Sequence, residues 1–378
     1  LEHAEHELDL DDRRVGRGDR QPEHGHLPVL AGPERHAGAD DDPTVVSAEA
    51  GLTFACFGSN CSVFVIGSGD CGGPEDAVEL ARERLLDWHH RFTRFDPGSE
   101  LSRLNADPRP AVPVSPEMAR LAAVAAGAAA RTGGLVDATL VDQIEAAGYT
   151  GDLGPPLSLE AALDRAPPRR SAGPDPASRW RELSAGHRTV SRPPGVKLDS
   201  GGLAKGLLAD LLGEDLATHA SFAIDCAGDL CLGGTARLPR TVLVASPFDG
   251  RTIHELSLVA GGVATSGIGR RSWLDAAGDP AHHLLDPATG RPAYTGLVQA
   301  TAVAATALGA EIRAKAAILA GPAAAAAWLP DGGVIVHDDG RVEILPPTFT
   351  QTSQVAPRWV ADGSPMLTRT TLVQEPTR

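Results

Sequence analysis

The order in which the apolar residues change period constrains this chain most. Runs rich in Val, Ile, Phe and Leu read as strands at 52–67 (LTFACFGSNCSVFVIG), 221–234 (SFAIDCAGDLCLGG), 240–248 (RTVLVASPF), 298–306 (VQATAVAAT) and 333–345 (GVIVHDDGRVEIL, a hairpin with an Asp-Gly turn). Helical spacing appears elsewhere. Val78, Ala81, Leu85, Trp88, Phe92 and Phe95 form one stripe that starts at Pro74 and stops at Asp96-Pro97-Gly98. Ser115 and Pro116 open a second helix ending at Gly133-Gly134, a third runs from about Leu203 to Thr218, and a fourth spans 307–320, closed by Gly321-Pro322. Strands and helices do not alternate strictly. The fold class expected is therefore α+β, with mixed or antiparallel sheets and packed helices, rather than a doubly wound parallel sheet.

The ends of the chain lack this patterning. Residues 1–46 hold twelve Asp/Glu against five Arg/Lys, five of the thirteen histidines and no aromatic residue, a composition expected to be disordered. Residues 346–378 read as an irregular C-terminal tail, and 150–180, rich in Pro, Arg and Ser, as a surface excursion. One domain over 47–345 is the expected organisation. A net charge of −15 argues against a nucleic-acid surface. Five cysteines without CxxC spacing read as small buried thiols rather than a zinc site or a disulfide framework. No apolar run has the length of a membrane span, and the acidic first residues do not resemble a signal peptide, so a cytoplasmic location is expected.

Four stretches carry possible chemistry. In LDSGGLAKG (198–206) a strand ending at Leu198-Asp199 feeds Gly201-Gly202 and then a helix with Lys205 one turn in. Exposed N–H groups at such an elbow make an anion site, although a plain strand-to-helix turn reads the same way. HHLLDPATG (282–290) places His282 and His283 before a turn in which Asp286 orients a histidine, holds a metal or only shapes the turn. VATSGIGRRSW offers Thr265, Ser266, Arg270 and Arg271 in a polar loop. Glu311 and Lys315 lie four apart on one helix face, an arrangement that is usually a surface ion pair. Their helix is otherwise apolar, which makes them more suggestive.

These stretches, with FGS (57–59), FTRFDPGSELSRLN (92–105), GGLVDATL (133–140), AGDLCLGG (227–234) and ATSG (264–267), together resemble the FAD:protein FMN transferases, the ApbE-type flavin transferases, over about 52–345. The resemblance implies an α+β, T-fold-like architecture with flavin in a cleft. It implies use of Mg²⁺ to cleave the FAD pyrophosphate, attachment of FMN through a phosphoester to a Thr or Ser of an acceptor protein, and release of AMP. Matched position by position, it assigns flavin or ligand contacts to Phe57, Phe95, Ala147, Gly148, Tyr149, Asp199, Lys205 and Leu285. It assigns metal positions to Gly202, Glu311 and Lys315.

Three departures stand out. Ala147 replaces a large aromatic, Ala227 the first glycine of a Gly-Gly-Asp turn, and Lys315 a metal-facing hydroxyl. Either Lys315 swings aside and Mg²⁺ still binds Glu311, or the lysine partly replaces the metal. His283 is the candidate base, with Asp286 to orient it, and Lys315 joins them as a candidate catalytic group. With water as acceptor the same residues would make an FAD pyrophosphatase; without turnover, an FAD-binding protein. The chain has no DGxTGAT-like acceptor stretch, so the acceptor is expected to be another protein.

Overall fold

Eight strands assemble into one antiparallel sheet and lie side by side in chain order: β1 (Glu49–Cys56), β2 (Ser59–Ile66), β3 (Ser221–Cys226), β4 (Asp229–Gly233), β5 (Gly261–Gly267, where a polar loop was expected), β6 (Leu297–Ala304), β7 (Gly333–His337) and β8 (Val342–Leu345). The structure is a computed structural model and describes residues 30–31, 49–151 and 153–347. Among the described residues seven α-helices accompany the sheet: α1 (Pro74–Phe92), α2 (Glu100–Ala106), α3 (Pro116–Arg131), α4 (Val141–Ala146), α5 (Leu159–Asp164), α6 (Ala204–Asp215) and α7 (Ala307–Ala320). The α+β expectation holds, with an antiparallel sheet and packed helices.

Burial follows from the layering. β1, at the edge, alternates half-buried and exposed residues, whereas β3, β6 and β7 are buried throughout. In β3, Phe222 and Ile224 join the core under α1, α3 and α6; Ala223 joins a second core with Val242, Val244 and Leu256 of the hairpin Arg240–Ala245/Thr252–Leu258. Each Leu or Phe so enclosed contributes roughly 1.5–3 kcal/mol. Cys56, Cys61 and Cys226 are buried thiols in the same layers. No helix among the described residues is long and apolar enough to cross a membrane.

Several boundaries differ from the sequence expectation, each for a local reason. α1 buries Val78, Ala81, Leu85, Trp88 and Phe92 as the stripe requires, but stops at Phe92. Thr93 is extended, and Ser99 Oγ donates to its carbonyl at 2.5 Å. Phe95 therefore leaves the stripe and stands 46% exposed. The extended segment before the glycine elbow is not a ladder strand. Asn105 replaces a strand neighbour there: its Nδ2 donates to Leu198 O and its Oδ1 accepts from Leu198 N–H, both at 2.8 Å. α6 ends at Asp215, short of Thr218. Ser115 caps α3 as expected, and Thr306 caps α7 in the same manner. The 150–180 excursion is pinned across the molecule by Arg170 N–H to Tyr294 O and Ala172 N–H to Leu319 O. Within the 1–46 segment, Leu30–Ala31 pair antiparallel with Val242 and Thr241. The rest of that segment, and the tail from 348 on, lie outside the described residues.

Candidate active site

A cleft of about 1580 Å³ opens where the elbow at 199–205, the loops after α1 and α4, the segment after β5 and one face of α7 meet. Phe57, Phe95, Tyr149, Asp199, Gly202, Lys205, His283, Leu285 and Lys315 all line it, with Gly201, Thr265, Arg270 and Arg271. Residues scattered over more than 250 positions of sequence thus share one cavity. Ala147, Gly148, Asp286 and Glu311 are not among the lining residues.

The elbow turns through Ser200, whose carbonyl accepts from Leu203 N–H at 3.1 Å and Ala204 N–H at 2.9 Å. Gly201 and Gly202 keep ordinary backbone angles and line the cleft, with the Gly201 N–H donating to Asp199 Oδ1 at 3.3 Å. The glycine that sterically must be glycine is Gly206. A Cβ there would sit 2.8 Å from Leu308 Cα and from Glu311 Oε2. Its absence lets α6 touch α7, and Gly206 N–H donates to Glu311 Oε2 at 3.0 Å.

Four charged side chains gather at this crossing. Lys205 Nζ pairs with Asp229 and lies 3.8 Å from Glu311 Oε1; Lys315 Nζ donates to that same oxygen at 2.9 Å. Asp229 and Glu311 are buried, and Lys315 is 8% exposed. Burial disfavours the Lys205 ammonium, but Asp229 and Glu311 outweigh it and raise its pKa. Burial, aided by Asp229, pushes the Glu311 carboxyl up against the pull of Lys315 and Lys205.

The residues present do not fit the divalent cation that the resemblance implies. Both Glu311 oxygens are taken, one by two ammonium groups and the other by Gly206 N–H. Among the described residues no cluster of three or more His, Cys, Asp or Glu is disposed to hold a metal ion. A divalent cation ~4 Å from an ammonium would also meet about 8 kcal/mol of repulsion at an effective dielectric of about 20.

The aromatic wall is held by groups the sequence reading did not name. The Arg94 guanidinium lies 4.3 Å from the centroid of Phe95 and 4.7 Å from that of Tyr149. It donates to Tyr149 O at 2.6 Å and pairs with Asp199 at 3.7 Å. Trp273 stacks behind Tyr149 at 5.4 Å and donates to Ala147 O at 2.7 Å, backing the loop where the large aromatic is missing. Gly148, at φ +101°, lets the loop pass the indole. Phe57 is itself left-handed at φ +53°, an outlier for a bulky residue. Arg271 donates to its carbonyl at 2.8 Å, and His89 meets its ring edge-on at 5.3 Å. Ala227 adopts φ +57°, the left-handed geometry for which a glycine would be the natural occupant. Asp137, in the cleft wall, accepts at Oδ1 from Thr139 N–H and Oγ1, while its buried Oδ2 has no partner among the described residues. Asp229 was signalled only by the AGD turn, Arg94 only by its place between two aromatics in FTRF.

His283 and Asp286 do not act on each other. Asp286 accepts at Oδ1 from Gly173 N–H (2.9 Å) and Ala288 N–H (3.1 Å), and at Oδ2 from Thr289 Oγ1 (3.0 Å) and Arg170 (3.4 Å). His283 instead sits on Arg271 O through N–H at 3.3 Å, with Nδ1 3.4 Å away. Burial, then the charge of Arg271 and, more weakly, the nearby His282 and Lys315, holds its imidazole well below the usual range and uncharged near neutrality. Thr265 Oγ1 pairs with Thr301 Oγ1 at 2.9 Å, and Ser266 points into the core away from the cleft lining.

The family model described as the ApbE family matches residues 57–336. An FAD:protein FMN transferase of Rhodobacter capsulatus is 29% identical over 256 residues, covering 66% of this chain and 47% of that protein. One of Treponema pallidum is 32% identical over 129 residues, covering 30% and 35% respectively. The chain thus spans about half, or less, of the curated relatives it matches. The crystal structure of the ApbE protein of Thermotoga maritima superposes with a TM-score of 0.63 at 25% identity, covering 79% of this chain and 97% of that one. With the matched region extending over most of the described residues and the cleft built from the same segments, the chain belongs to the ApbE family.

Proposed function

We propose that this chain is an FAD:protein FMN transferase acting on a Thr or Ser of a separate acceptor protein. The observation that carries the reading is the single cleft in which an amide-bearing elbow, Lys205, Lys315 and Arg271 face an aromatic and apolar wall of Phe57, Phe95, Tyr149 and Leu285. Such a surface suits a ligand with a flat ring system and a diphosphate. The names of the curated relatives support the same activity.

In this mechanism the elbow amides and the cations hold the diphosphate and spread the charge that builds on it. The acceptor hydroxyl oxygen bonds to the FMN-side phosphorus. The bond from that phosphorus to the bridging oxygen breaks, and AMP leaves with the electron pair. The hydroxyl proton passes to His283, whose uncharged state is populated at neutral pH although its proton affinity is low.

Purified chain incubated with FAD and an acceptor domain bearing a DGxTGAT-like stretch should release AMP and leave flavin on the acceptor after denaturation. AMP with only free FMN would make it a pyrophosphatase, and FAD binding without AMP a non-catalytic binder. Absence of FAD binding would overturn the assignment.

A further inference from the structure

We propose that Lys315 replaces the divalent cation: its ammonium is the charge that meets the ligand's diphosphate, so FAD binding and cleavage need no divalent metal. The identity of the ligand rests on the transferase reading above; the charge substitution rests on the geometry here.

Glu311, the only carboxylate at the expected metal position, does not line the cleft, whereas Lys315 does. What that position presents to a ligand is therefore an ammonium. Its stem lies against the turn, Lys315 Cε being 3.6 Å from where a Gly202 Cβ would be. Lys205 is committed to buried Asp229. Lys315 spends one of its three N–H donors on Glu311 Oε1, which it shares with Lys205, and two remain for phosphate oxygens. Glu311 thus acts as a positioning residue, aiming the ammonium rather than coordinating a metal. Arg271, also on the cleft wall, adds a positive charge beyond the two lysine–carboxylate pairs.

The test compares wild type, Lys315→Thr, Lys315→Arg and the double variant Glu311→Gln/Lys315→Met, which avoids leaving a buried carboxylate unpaired. FAD affinity by flavin fluorescence, AMP release, and affinity for inorganic pyrophosphate are measured in EDTA and in Mg²⁺. Wild type should give the same values in both. The double variant should lose about 100-fold or more in AMP release. Lys315→Thr should be weak in EDTA and recover with Mg²⁺, and Lys315→Arg should retain metal-free binding. If wild type turns over FAD only with Mg²⁺, the substitution is wrong while the transferase reading stands. If FAD is never cleaved, that reading fails, and pyrophosphate decides the substitution. Metal-free binding that depends on Lys315 upholds it; binding that needs Mg²⁺, or that the double variant retains, overturns it.

Discussion

Arg94 shows how much of this site depends on one side chain that touches several others. Its guanidinium lies between Phe95 and Tyr149, bonds the Tyr149 carbonyl and pairs with Asp199, while only 6% of the side chain is exposed. Cation–π contacts at a desolvated position contribute about 0.5–2 kcal/mol each. Arg94→Met should therefore weaken FAD binding about tenfold and cost about 1–2 kcal/mol of stability. Arg94→Lys should not restore binding, because a point charge cannot face two rings and a carbonyl at once. Flavin-fluorescence titration beside urea melts checks both, and full recovery with lysine would mean that only charge matters here. The sequence hid this residue because an arginine between two phenylalanines looks the same on a solvated loop.

The long helices and most of the strands were legible, since each carries two or more turns or a full alternation of period and a clear terminator; β5, at Gly261–Gly267, was not, its Gly, Thr and Ser looking like a polar loop. The six- and seven-residue helices α2, α4 and α5 were not, because fewer than two turns give no measurable period. The segment at 196–199 looked like a strand and is extended, yet its partner is a side chain, Asn105, which periodicity does not reveal. The α6–α7 crossing was also hidden: the sequence drew notice to Gly201-Gly202, while the close approach is made at Gly206. Gly206→Ala must push α7 off α6 and strain the N–H bond to Glu311. We expect a loss of about 1–3 kcal/mol, as overpacking costs elsewhere, with weakened FAD binding because Glu311 and Lys315 move together. Gly202→Ala, whose Cβ would meet only Lys315 Cε at an ordinary 3.6 Å, should fold normally. Equal melting temperatures for wild type and Gly206→Ala would refute the crossing as the cause.

The molecule as a whole buries ionisable groups of both kinds, and their linkage to pH has opposite signs. Convergence of distant segments on one cleft was anticipated through the ordered set of motifs; this balance of buried charge was not, because burial is a property of the packed chain. Burial lifts Asp225 to about 7 and Asp210 to about 6. Between their unfolded values and these, the fold holds protons that the unfolded chain releases, so stability falls as pH rises. His282 works the other way. It is 1% exposed, its Nδ1 accepts from Leu284 N–H at 3.3 Å, its ring meets Tyr294 edge-on, and burial lowers it to about 3. The unfolded chain binds a proton there that the fold refuses, so stability from this group is complete above about 6.5 and is lost as pH falls towards 3, by about 1.4 kcal/mol per pH unit. His282→Asn keeps an acceptor for Leu284 and removes the titration. Its urea stability relative to wild type should therefore improve by about that slope for each unit that pH is lowered from 6 to 4. Parallel stability profiles for the two proteins across that window would show that His282 takes up a proton in the folded chain as readily as in the unfolded one, and would overturn the burial effect.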